Sequence, residues 1–79
     1  VNAFPSGPAL PPVPHHDFQR NPVSGLLELV VTPQLQRWAS ECIALLGNRA
    51  PIALLLLSEG RPVYRDPWEW LLRYGLASA

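Results

Sequence analysis

The sequence predicts a mainly α-helical fold, a small irregular bundle of three to four short helices with an extended proline-rich N-terminal arm. Three observations predict it. Six of the ten prolines fall in the first 22 residues, which marks residues 1–22 as the arm and 23–79 as the helical module. Beyond residue 23, prolines open apolar stretches and glycines close them. Leucine, a good helix former, is the commonest residue, with fourteen copies.

Residues 1–22 read VNAFPSGPALPPVPHHDFQRNP. Proline fixes φ and lacks an N–H, so this backbone favours extended or polyproline II conformation. A free arm of this kind is mobile, so an ordered one implies a surface that holds it.

The next segment, 23–31, reads as a short helix, with Ser24 as its cap and Leu26, Leu27 and Val30 on one side. Gly25 and the valines weaken it. Residues 32–47 carry the clearest helical signal. Thr32 is a good N-cap, Pro33 suits the first helical position and Gly47 suits the end. Leu35, Trp38, Ala39, Cys42 and Leu46 recur at helical spacing on one face. Arg37 and Glu41, four apart, are placed to pair.

Residues 52–57 are apolar on every side, so periodicity does not separate a buried helix from a buried strand. Their Leu and Ala content favours helix, with Gly60 as the terminating glycine. The alternative is an α+β fold with a hairpin at about 52–65. A last short helix is expected over 67–75, with Asp66 and Glu69 in a capping-box spacing and Gly75 at its end. Trp68, Leu71 and Leu72 share one of its faces, and Trp70 and Tyr74 another.

Composition narrows the function. Six Arg balance six acids, and only 15% of the residues are charged, against about 25% in an average soluble domain. A neutral chain without a basic cluster is a poor ligand for nucleic acid phosphates. No Gly-rich phosphate loop, nucleophile elbow or close carboxylate pair is present, so we expect no enzyme activity, no cofactor and no small-molecule substrate. His15-His16-Asp17 has metal-ligand residue types. Adjacent side chains in extended chain point apart, however, and no second ligand cluster accompanies them, so no metal site is expected. Cys42, the only cysteine, falls on the apolar stripe and reads as a buried, inert thiol.

A short chain this rich in leucine, with three Trp, does not easily hide its apolar surface alone. We therefore expect a non-enzymatic structural or interaction protein, a small subunit or bound segment that stabilises a larger multiprotein assembly. A virion and an organellar complex both fit. The expected partner-binding residues are Pro11 and Pro14 on the arm, with Trp38, Leu46, Leu55, Trp68, Trp70 and Leu72 as apolar anchors. Two alternatives follow from the same residues. The C-terminal aromatics suit a membrane–water interface, which makes a peripheral membrane module possible in principle, although the longest apolar run, 43–57, contains Asn48, Arg49 and Pro51 and is too short to span. The stretch Leu10-Pro11-Pro12-Val13-Pro14-His15-His16 has the Φ-P-x-Φ-P spacing of an SH3 ligand, with His16 in the position where such ligands carry a base. That makes an adaptor docking an SH3-like domain the other alternative.

Overall fold

The computed structural model describes residues 10–72. The order of elements is β1 (Phe18–Arg20), β2 (Leu27–Leu29), α1 (Pro33–Leu46), a 3₁₀ turn (Gly47–Arg49), α2 (Ile52–Ser58) and α3 (Arg65–Trp70). Among the described residues there are three α-helices, within the three to four expected, together with a two-stranded antiparallel sheet.

The hairpin lies at 18–29 and replaces the helix expected over 23–31. Its cause is the loop. Asn21 N–H donates to the Leu26 carbonyl and Gly25 N–H to the Asn21 carbonyl, both at 2.8 Å. The Asn21 side-chain oxygen accepts from Val23 N and Ser24 N at 2.7 and 2.9 Å. Pro22 pre-sets the next φ, and Gly25, at φ 75°, takes the left-handed conformation that returns the chain. Leucine at 27 and 29 then alternates with Glu28, a period of two, and Leu29 is buried in the core. The alternative hairpin at 52–65 does not form, because 52–58 is helical. A single bridge, Glu28 to Tyr64, adds the 63–64 segment as a third partner beside β2, with Leu29 N–H donating to the Val63 carbonyl at 2.8 Å.

α1 begins where the sequence placed it. The Thr32 hydroxyl accepts from Leu35 N at 3.1 Å and Pro33 takes the first helical position. Its apolar stripe (Leu35, Trp38, Ala39, Cys42 and Leu46) is buried. α2 buries Ala53, Leu54 and Leu57 against α1. It ends in a Schellman motif: Gly60 N–H bonds the Leu57 carbonyl at 3.0 Å and Arg61 N–H the Leu56 carbonyl at 2.9 Å. Gly60 suits this position through its backbone. Its φ of 76° lies in the left-handed region; a Cβ there would meet the end of the Gln36 side chain at 3.0 Å, a contact that this flexible side chain relieves by shifting.

α3 starts two residues before its expected position. Tyr64 is the N-cap residue, and no side chain caps the helix. Asp66 and Glu69 do not form a capping box; both carboxylates instead approach Arg65 Nε at 3.3 Å. Gly75 and Tyr74 lie outside the described residues. The core is one cluster drawn from every element except β1 and the 3₁₀ turn, and no polar or charged residue among those described is buried in it.

Candidate interaction surfaces

The arm is expected to lie along a partner; its described part, from Leu10, instead packs on its own chain. Leu10, Val13 and, from β1, Phe18 are partly buried and pack against the core. Trp38 Nε1–H donates to the Pro11 carbonyl at 2.9 Å. Extended proline-rich backbone has no internal hydrogen bonds, so this carbonyl is open to an outside donor. The surface that holds these residues is thus α1. Pro11 and Pro14 are half-buried in this contact.

Beneath the arm, aromatic rings stack edge to face. Trp68 meets Trp38 at 5.5 Å and His16 at 5.6 Å, and His16 meets Phe18 at 5.8 Å. His16 Nδ1–H donates to the Pro14 carbonyl at 3.1 Å, which puts the ring proton on Nδ1. His15 turns away, with Nε2 3.2 Å from Asp17 Oδ2 at the surface. The two imidazoles therefore do not converge, and among the described residues no three His, Cys, Asp or Glu side chains come together as a metal site would need. Trp68 is wholly buried and its Nε1–H finds no acceptor. An unbonded buried donor costs about 1–3 kcal/mol. Burying about 200 Å² of indole contributes about 5 kcal/mol, so the ring stays inside.

Cys42 is buried on α1 beside this cluster. Burial pushes its thiol pKa up, and the neighbouring Glu41 carboxylate adds to the rise. Both effects keep it protonated and unreactive at neutral pH.

The structure separates the expected anchors into two groups. Trp38, Leu46 and Trp68 are spent on the chain's own core. They hold the fold and present no surface to a partner in this conformation. Leu55 and Trp70 are exposed, at 38% and 59%, and Leu72 is half-buried against the core. Ile52, which sequence reasoning did not single out, is 71% exposed and one turn from Leu55 on the outer side of α2. Its signal was hidden because 52–57 is apolar all round, so the outward positions could not be told from the inward ones.

A second region was also missed. The register sets Arg20 opposite Leu27, and the isolated Glu28–Tyr64 bridge brings the start of α3, with Arg65, to the other side of β2. Both arginines line a cleft of about 380 Å³ together with Leu26, Leu27, Tyr64 and Pro67, among others. Arg20 Nη1 donates to the Gly25 carbonyl at 2.6 Å. Arg65 already faces the Asp66 and Glu69 carboxylates, so the cleft has little net field with which to draw an anion. Only pairing across a hairpin brings these residues together, and linear spacing carries no trace of it.

The expected Arg37–Glu41 pair is not among the ion pairs of the described residues. Both side chains instead line a cleft of about 300 Å³ between α1 and Pro11, Pro12 and Pro14. Among the described residues, no helix is long and apolar enough to cross a membrane. Compared with protein-family models, curated proteins and solved structures, the chain matches none.

Proposed function

We propose that this chain is a non-enzymatic interaction module, a small subunit or bound segment that stabilises a larger protein assembly through the outward faces of α2 and α3. One observation carries this reading. The chain completes its core with Trp38, Leu54 and Trp68 inside, and still leaves Ile52 and Leu55 exposed on α2 and the Trp70 side chain partly exposed on α3. Scattered exposed apolar residues are ordinary. Two on adjacent turns of a seven-residue helix, with a Trp nearby in sequence, have the residue types of an interface core.

The test is native purification of the chain from its source, with mass spectrometry of whatever migrates with it. A stoichiometric complex is expected. Trp70→Ala and Leu55→Ser should each weaken incorporation by about 2 kcal/mol, roughly thirtyfold, if they sit at the interface centre. A lone folded chain of 8.8 kDa would overturn the reading. So would unchanged incorporation of the double variant.

A further inference from the structure

The contact between the arm and α1 has the chemistry of peptide recognition, with ligand and reader on one chain. Leu10-Pro11-Pro12-Val13-Pro14 carries the Φ-P-x-Φ-P spacing, and both Φ side chains rest on the core. Readers of such segments offer an aromatic ring for the proline ridge. Trp38 offers that ring and also a donor, the indole N–H, 2.9 Å from the Pro11 carbonyl.

Two features mark the arm as displaceable. It covers the α1 face without filling it, since the cleft of about 300 Å³ beside Pro11, Pro12 and Pro14 still opens onto Gln34, Arg37 and Glu41. The displaceable part is residues 10–14: beyond them His16 stays stacked on Trp68 and Phe18, while the His15 and Asp17 side chains on either side of it are 85% and 71% in solvent. The one hydrogen bond that ties residues 10–14 to α1 is the Trp38 bond.

We propose that the Trp38 face of α1 is a reading surface for polyproline segments, that its partner is a Φ-P-x-Φ-P segment presented by another chain, and that the protein's own arm is its built-in competitor. The same contact hides the arm's Φ-P face from any outside reader while it is docked. This proposal draws nothing from the outer faces of α2 and α3, and it stands or falls apart from them.

A tethered ligand acts at an effective concentration of about 1 mM, so a free peptide must compete against it. The probe is a dye-labelled synthetic peptide of residues 9–16, titrated with the full chain and read by fluorescence anisotropy. The Val13 amide of the isotopically labelled chain, followed by NMR, reports the arm. With the intact chain, half-saturation is expected at about the millimolar level, as the Val13 amide moves toward its random-coil position. Weakening the competitor by Pro11→Ala with Pro14→Ala in the chain should tighten peptide binding, by about tenfold. Adding Trp38→Phe, which keeps a ring and removes the donor, should reverse that gain.

A prolyl-deficient chain that binds no more tightly than the intact one would overturn the proposal. Equal binding of a peptide with both prolines replaced by alanine would overturn it too. If the substituted chain loses its near-ultraviolet circular dichroism, the intact chain decides alone: a Val13 amide that does not move at 10-fold excess over the expected midpoint rejects the idea.

Discussion

Residues 33–72 and residues 10–31 are held by different forces. In the first region the three helices bury leucines and tryptophans completely, with Leu35, Leu54, Leu57 and Trp68 all at zero exposure. In the second, Leu29 is the only fully buried side chain, while Leu10, Val13, Phe18 and Val31 are partly covered. What shapes the second region is hydrogen bonding: the Asn21 loop, the short ladder, and one indole reaching the Pro11 carbonyl. Apolar burial acts over the whole molecule, whereas these bonds are local and solvent competes for them. The helical region should therefore open only with global unfolding, and the N-terminal region should open beneath it.

The strongest way to break this contrast is through the core. Leu54→Ala leaves a cavity between α1 and α2 and should lower global stability by about 3 kcal/mol in urea denaturation. Both regions should then lose structure in one transition. Separate transitions would mean that the hairpin does not depend on the helices beneath it. A smaller effect is expected at the junction. Thr32→Ala removes the cap oxygen from Leu35 N–H and should cost about 1 kcal/mol. A loss below about 0.3 kcal/mol would place the helix start under tertiary control instead. The smallest global effect sharpens the contrast most. Asn21→Ala deletes both loop bonds and should speed hydrogen exchange at Leu26 and Val30 by about tenfold, while amides in the middle of α1 stay unchanged. Equal acceleration in α1 would show that the two regions open together.

The same division explains what could be read from the sequence. α1 was legible to the residue because cap, first-position proline, apolar stripe and closing glycine are all local signals that agree. α2 was legible as a helix from its leucines, and Gly60 marked its end. The hairpin was not. Each strand is three residues long, too short for a period of two to outweigh the helix propensity of Leu and Glu. Asn21-Pro22 was the usable signal, since that dipeptide begins turns, and the proline count of the arm absorbed it. For the candidate surfaces, sequence named the right residue types but not their side. Trp68 and Trp70 are two positions apart, and one lies fully inside while the other is 59% exposed. Their sorting depends on where α3 meets β2, which is a property of the folded whole.

The bond from Leu29 N–H to the Val63 carbonyl has a further consequence. It joins two points about 34 residues apart, so α1, the 3₁₀ turn and α2 form a closed ring of chain with β2 as its clasp. A protease cut in the exposed turn at Glu59-Gly60-Arg61 would open that ring, and the fragment after the cut would still be held by β2 through Val63 and by the Trp68 ring in the core. A chain nicked there is expected to stay whole in solution and to part into two peptides only when denatured, which size-exclusion chromatography before and after urea would show.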